Sequence, residues 1–429
     1  MAPKNKNKQL YVFYREQLVG TLFQTEEELL QFSYDSTWVD SIHSFPLAPT
    51  LPLQKNTTYG NVVTRAYFEN LLPEGTAKDR INAIHRDIAK DAFRFLEKFG
   101  EDCAGAFIIT SDASYPKGVE PDEVEEVHFS ELDSIIDKEQ DLGSFIHKKH
   151  HGRFSLAGAQ DKIAIIYHDG KLYIPTKGGA TTHILKPIIK RFNHGLSTVL
   201  NEHFCMTLAK KAGLNVAQSD IVQSKYPYYI VDRYDRHIND QGFAERLHQF
   251  DFCQGQGYSS GKKYEDDGGP TLEQNFSFIK GTSALPAKDL DAYADWLVFN
   301  IIIGNNDSHS KNISFLYRDG ELRLAPFYDL LSTAVYRKIT GRFAFGFGKN
   351  GQKQYFWYKL QDFHLENTSK KLSVHRSYFS KKMLTMCDKI DDCLIQTQRE
   401  IEQKHSYRLT RMTKLIHRRI ALMRSRLGS

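Results

Sequence analysis

A chain of 429 residues and 49.4 kDa, 41% hydrophobic and 25% charged, has an ordinary globular balance, which excludes wholesale disorder and low-complexity architecture. Its 57 Lys and Arg exceed its 52 Asp and Glu by only +5, so an obligate nucleic-acid binder is excluded and any such contact must rest on a local patch. The five scattered cysteines contain no C-x-x-C pair, which argues against a disulfide framework or a zinc site and for buried reduced thiols.

No stretch approaches the roughly 18 apolar residues of a membrane span. The start, MAPKNKNKQ, is basic and polar without an apolar core, and predicts a loose tail on a cytoplasmic protein rather than a signal peptide. Leu10–Tyr14 and Gln17–Phe23 alternate around Arg15-Glu16 as a hairpin does. Tyr67–Leu72 running into Pro73-Glu74-Gly75 reads as a helix and a turn, and Ile81–Phe99 as a helix closed by Gly100. Between Glu120 and Asp141 stand ten acids and one lysine, with Val124, Val127, Leu132, Ile135 and Ile136 at helical spacing; a solvated helix or connector is expected.

From Ser155 to Asp235 strand signals dominate. Ile163–Tyr167 and Lys171–Ile174 flank His168-Asp169-Gly170, a hairpin turn. His183–Lys186 and Tyr228–Arg233 read as further strands, and Thr198–Ala212 as a helix closed by Gly213. Beyond about residue 240 the pattern turns helical, over Asp289–Ile303, Lys381–Thr397 and Lys404–Leu427. A β-rich half is therefore followed by an α-rich half.

The sharpest local feature is Gly304-Asn305-Asn306-Asp307-Ser308-His309-Ser310-Lys311-Asn312, between an apolar helix and the strand-like Ile313–Tyr317. Asp307 and Asn312 have the D-x-x-x-x-N spacing of a kinase catalytic loop. A carboxylate there can take a hydroxyl proton, and an amide oxygen five positions on can bind Mg²⁺ without adding charge. Alone the spacing is equally that of an Asp/Asn-rich cap and turn. Arg318-Asp319-Gly320 turns the chain back through Leu322–Phe327 to Tyr328-Asp329, which would set Asp329 beside Asn312 as a second oxygen ligand.

The β-rich half offers the rest of a nucleotide site. Lys186 ends an apolar strand, as a phosphate-gripping lysine does, or as any snorkelling lysine does. Ser155-Leu156-Ala157-Gly158-Ala159-Gln160-Asp161-Lys162 is rich in small residues whose amides can approach phosphate, although it fits neither standard glycine-rich motif. Val231-Asp232-Arg233-Tyr234-Asp235-Arg236 stands where strands give way to helices, the place of a kinase hinge or of a salt-bridged strand end.

These motifs occur in one order with Lys263-Tyr-Glu-Asp-Asp-Gly-Gly-Pro270 and, nearer the start, Leu51-Pro52-Leu53, Asn70-Leu71-Leu72-Pro73 and Gly100–Ala106. That order resembles the HipA family of serine/threonine-protein kinase toxins from about residue 10 to 335. The resemblance implies an α+β, two-lobed protein-kinase-like fold using ATP and Mg²⁺, with an N-terminal subdomain over 1–143, the β-rich nucleotide-binding part of the small lobe over 144–238 and an α-helical C-terminal kinase lobe over 239–429. It implies Asp307 as catalytic base, Asn312 and Asp329 as Mg²⁺ ligands, and Lys186 on the ATP phosphates. Ala157, Gly158, Ala159, Gln160, Asp161 and Lys162 would form the phosphate loop, with Asp232, Arg233 and Tyr234 as the adenine hinge. Gln254, His309 and Tyr328 would line the nucleotide pocket. Ser155 would be an autophosphorylation switch that expels the loop, since a group of about −2 charge cannot stay where ATP phosphates sit. The implied substrate is an aminoacyl-tRNA synthetase, notably the glutamyl enzyme. The implied partner is a HipB-like helix-turn-helix antitoxin, which brings operator DNA with it. The alternative is a catalytically weak kinase-fold subunit bridging an antitoxin and DNA, and a third reading is AMP transfer on the same fold.

Lys404 to Arg426 holds eight Lys/Arg and no acids, with Leu409, Met412, Leu415, Ile416, Ile420 and Met423 on one helical face. A docked helix with a solvated basic side is expected, and phosphate contact is the alternative. Lys370, Lys371 and Arg376 form a smaller basic group with the same DNA alternative. His147-Lys-Lys-His-His151 reads as a solvated basic turn rather than a metal site.

Overall fold

The computed structural model describes residues 8–85, 88, 91–114, 124–138, 142, 160–175, 179–189, 197–238, 244–336, 339, 341–348, 354–356, 362–405 and 407–427. Strands β1 (Lys8–Tyr14) and β2 (Gln17–Gln24) form the expected hairpin, with Arg15 at φ +52 in the turn. With β3 (Leu30–Tyr34), β4 (Thr58–Tyr59) and β5 (Ile108–Thr110) they make a five-stranded antiparallel sheet ordered β4-β3-β2-β1-β5. Helices α1 (Ser36–Asp40), α2 (Asn61–Glu69), α3 (Gly75–His85) and α4 (Ala92–Phe99) accompany this sheet. The stretch expected as one helix over Ile81–Phe99 is thus two. Asp91 ends the continuity because its carboxylate accepts from the Phe93 amide, capping α4 instead of prolonging α3.

The acidic stretch contains the expected helix, but that helix is packed rather than solvated. The stretch forms β6 (Val124–Val127) and α5 (Phe129–Asp137), and α5 buries Leu132, Asp133, Ile135 and Ile136. Helical spacing puts Leu132, Ile135 and Ile136 on the face that packs, with Glu131 half-buried and Asp137 exposed. Asp133 is itself buried, accepting from Ser224, Tyr226 and Tyr228.

A six-stranded antiparallel sheet follows, ordered β10-β11-β9-β7-β8-β6. Its members are β7 (Ile163–His168), β8 (Lys171–Pro175), β9 (His183–Lys186), β10 (Ser219–Gln223) and β11 (Pro227–Asp232) besides β6. The β7–β8 turn has Asp169 and Gly170 at φ +48 and +76, the backbone a tight hairpin demands. Helix α6 (Thr198–Lys211) packs beside β10 and β11. Short strands β12 (Arg236–Ile238) and β13 (Ala244–Arg246) pair with each other. Beyond them β14 (His248–Asp251), β15 (Ser314–Arg318) and β16 (Glu321–Leu324) make a small antiparallel sheet, with Asp319 and Gly320 at positive φ in the β15–β16 turn.

Helices α7 (Phe252–Gln256), α8 (Leu272–Thr282), α9 (Pro286–Ile303), α10 (Asp362–Lys371), α11 (Arg376–His405) and α12 (Thr410–Leu427) complete the second half. Pro286 at its first turn and Gly304 beyond its end punctuate α9. The stretch Lys404–Leu427 belongs to α11 up to His405 and then to α12. Helix α12 buries Met412, Ile416, Ile420 and Met423 against the core, while Arg424 reaches Asp388 and Asp391 of α11. One hydrophobic core runs from Leu10 to Met423, and a smaller one lies between α5 and the six-stranded sheet. No helix among the described residues is long and apolar enough to cross a membrane.

Candidate active site

The loop after α9 begins at Gly304, in left-handed backbone at φ +75, where an added Cβ would lie 2.8 Å from the Ala334 Cβ. Its polar residues tie the loop to its neighbours. Asn305 donates to Asn300 at 2.8 Å and to the Asp329 carbonyl at 3.1 Å, and the Asn306 amide donates to Thr333 at 2.8 Å. Asn312 spends its amide N–H on the Asp307 carbonyl at 3.0 Å, so the atom it keeps for a ligand is the amide oxygen.

Asp307 is left with its side chain 51% exposed. Tyr264 donates its hydroxyl to Asp307 Oδ1, and the Tyr264 ring stands edge-on to His309 with centroids 5.0 Å apart. Burial holds the His309 imidazole near a pKa of about 4, so it is neutral at physiological pH.

The β15–β16 hairpin folds back and delivers Asp329, itself at φ +53, a conformation Asp tolerates better than most residues. Lys186 arrives from the end of β9. Its Nζ lies 2.7 Å from Glu202 Oε1 on α6 and 2.5 Å from Asp329 Oδ1. Burial works against charge on Lys186, but Asp329 and Glu202 hold its pKa above the usual lysine range. Burial would also raise Asp329, yet Lys186 and Lys162 bring it down to about 2. Burial dominates at Glu202 and raises it despite Lys186. Lys162 is pushed down to about 8 by burial, with Asp329 pulling the other way.

Lys162, Lys186, Asp307, Asn312 and Asp329 all line one cavity of about 350 Å³. The donor set suits Mg²⁺, which takes hard oxygens such as a carboxylate and an amide oxygen. Two ammonium groups beside them suit a polyphosphate. The cavity's remaining wall includes Gln160, Asp232, Tyr234, Gln254, His309 and Tyr328, so these sequence-expected residues are brought together.

Several sequence-expected residues also carry structural work. Arg233 lines the same cavity, but its guanidinium is buried between Asp102 at 3.2 Å and Asp235 at 3.0 Å. Gln254 is committed too. Its oxygen accepts from the Asp251 amide in the α7 cap and its nitrogen donates to the Tyr67 carbonyl. The Asp161 carboxylate accepts from the Leu142 amide at 3.1 Å. Tyr234 stacks on Tyr328 with centroids 5.5 Å apart. Lys371, expected at a DNA-facing surface, turns inward to the Gly346 carbonyl at 2.8 Å, whereas Lys370 and Arg376 are exposed. Ser155, Ala157, Gly158 and Ala159, with the His147–His151 run, lie outside the described residues.

Sequence reasoning missed Glu202, the carboxylate partner of Lys186. A strand lysine followed by an acid on the next helix was the available signal. It also missed Glu74, noted only as a turn residue, which receives Lys263 at 2.8 Å and Lys311 of the loop after α9. Tyr264, quoted within a motif, was given no role.

Family models described as the HipA-like C-terminal domain and the HipA N-terminal domain match residues 154–394 and 10–110. Y4mE of Sinorhizobium fredii, described as a candidate kinase, is 35% identical over 79% of this chain and 81% of its own. The serine/threonine-protein kinase toxin HipA of Shewanella oneidensis is 31% identical over 76% of each chain. HipA of S. oneidensis MR-1, solved with HipB and its operator DNA, superposes with a TM-score of 0.81 over 98% of this chain and 97% of that one, at 24% identity, a likeness of fold. With a family model covering more than half its length, this chain belongs to the HipA family of serine/threonine-protein kinase toxins.

Proposed function

We propose that the chain transfers phosphate from ATP to a serine or threonine hydroxyl of a translation protein, with Asp307 as base and Asn312 and Asp329 as Mg²⁺ ligands. The observation that carries this is the Lys186 ammonium held between Glu202 and Asp329 in the cavity that Asp307 and Asn312 share. A strand lysine paired to a helix glutamate is what active kinases require. Tyr264 occupies Asp307 Oδ1, so Oδ2 is the atom that takes the acceptor's proton. Lys186 and Lys162 bind and orient the phosphates, and Gln160 to Lys162 are the described end of the phosphate loop. Main-chain atoms of Asp232 and Tyr234 read the adenine edge, with Tyr328 behind Tyr234. Bound Mg²⁺ neutralises charge that develops on the transferred group.

The finer readings rest on family resemblance. Ser155 is the self-modified switch, and the substrate is an aminoacyl-tRNA synthetase, the glutamyl enzyme first. A HipB-like antitoxin is the partner, through which operator DNA is reached; the S. oneidensis HipA complex with HipB and operator DNA supports this. Residues 1–143, 144–238 and 239–429 are the working units of a cytoplasmic protein. Mass spectrometry of proteins from cells briefly making this chain tests the reaction. A phosphate on the synthetase, absent with Asp307→Gln, is expected; an added AMP, or modification that persists with Asp307→Gln, overturns it.

A further inference from the structure

Helix α6 carries a second grouping one residue beyond Glu202. His203, Asp220 of β10 and His405 at the end of α11 each offer one ligand atom, and these atoms lie within 4.8 Å of one another. His203 and His405 are 8% and 9% exposed. The rings meet edge-on, centroids 6.2 Å apart. His203 Nδ1 and His405 Nε2 are buried without a hydrogen-bond partner, an arrangement that costs free energy unless something fills it. Lys404 and the Ile221 amide both bond Asp220 Oδ1, at 2.8 and 2.7 Å, so Oδ2 is the atom left to turn inward.

We infer that His203, Asp220 and His405 form a Zn²⁺ site that fastens α6 to β10 and to the end of α11. Two imidazole nitrogens and one carboxylate oxygen suit zinc, not Mg²⁺. Tetrahedral zinc needs donor atoms about 3.4 Å apart, and small rotations of three side chains close that gap. The Asp220 side chain is 60% exposed, which gives an entry path and a water for the fourth position. The cysteines play no part here, which is why their spacing gave no sign of the site. Lys404 competes for Asp220 and is 58% exposed, so it can swing away. Because His203 adjoins Glu202, zinc at this point steadies the helix that holds Lys186.

The test is calorimetric titration of the chelator-treated full-length chain with Zn²⁺, in excess Mg²⁺ to occupy hard-oxygen sites. One Zn²⁺ per chain and a rise in Tm with zinc are expected. Asp220→Asn and His405→Asn should each weaken binding by more than about 10-fold, the least that loss of a group behind a metal ligand costs. Lys404→Met should tighten it. Should His405→Asn fold poorly by circular dichroism, the exposed Asp220→Asn still decides. No stoichiometric binding by the wild-type chain, or equal binding by Asp220→Asn, overturns the site.

Discussion

Lys186 and Glu202 stand 16 positions apart in the chain and 2.7 Å apart across a buried contact. The strand presents the ammonium and the following helix presents the carboxylate, so the pair fixes how α6 sits on the six-stranded sheet. Asp329 from the other half completes the contact. In the proposed function the pair orients the lysine for phosphate. Glu202→Gln keeps the shape but removes the charge, and Asp329 remains to partner Lys186. A loss in kcat/KM on the order of 10²-fold is expected, the scale of a catalytic group displaced by about 1 Å. Steady-state kinetics with folding monitored separately checks it.

Glu74 ties two lysines of the second half to the turn before α3. Burial would raise its pKa, but Lys311 and Lys263 lower it to about 2 from an ordinary 4.5. A folded-state value below the unfolded one stabilises the protein above the unfolded value and ceases to as pH falls through the folded one. The contribution is therefore complete above about pH 4.5 and gone near pH 2. Glu74→Gln should cost about 3 kcal/mol at neutral pH, since it leaves Lys311 buried with its carboxylate partner lost. Urea unfolding from neutral to acid pH should show the gap to wild type narrowing below about pH 4.5.

Asp102 joins the N-terminal sheet region to the hinge. It accepts from Arg233 at 3.2 Å, Arg236 at 2.9 Å and Thr181 at 2.6 Å, all buried. Asp102→Asn leaves Asp235 as the remaining counter-charge of Arg233 and Arg236 and should destabilise the fold by about 3 kcal/mol. A denaturation midpoint measures it. The Arg233 guanidinium is thus a brace beneath the end of β11, held by Asp102 and Asp235.

Gly304→Ala puts a Cβ 2.8 Å from Ala334 at φ +75. Strain of about 1–3 kcal/mol is expected, and the loop bearing Asp307 should shift with it. A lowered Tm together with lowered transfer is the expected reading, and an unchanged Tm would contradict it.

The hairpins, α6, α9 and the loop after it were legible because periodicity and turn residues are local signals. Asp307, Asn312 and Asp329 could be named for the same reason, since a turn at Asp319-Gly320 dictates that the strand returns. Glu202 is one of several polar residues on its helix, and the strand lysine before that helix is the signal that points to it; its contact with Lys186 is what singles it out. Helix α5 was legible as a helix from its spacing, but its burial was not, because the charge around it gives no sign that Leu132, Ile135 and Ile136 meet a sheet. The break before α4 needed the Asp91 cap to be recognised inside an unbroken helical spacing. Lys371 read as surface, whereas its stem carries the ammonium back to the Gly346 carbonyl.

Label transfer from radiolabelled Mg·ATP to the purified chain, with Asp307→Asn measured beside it, tests the central claim most directly. The wild-type chain should label itself, and Asp307→Asn should lose at least about 10²-fold in rate while keeping its fold and its ATP affinity. Equal labelling by Asp307→Asn would contradict the account.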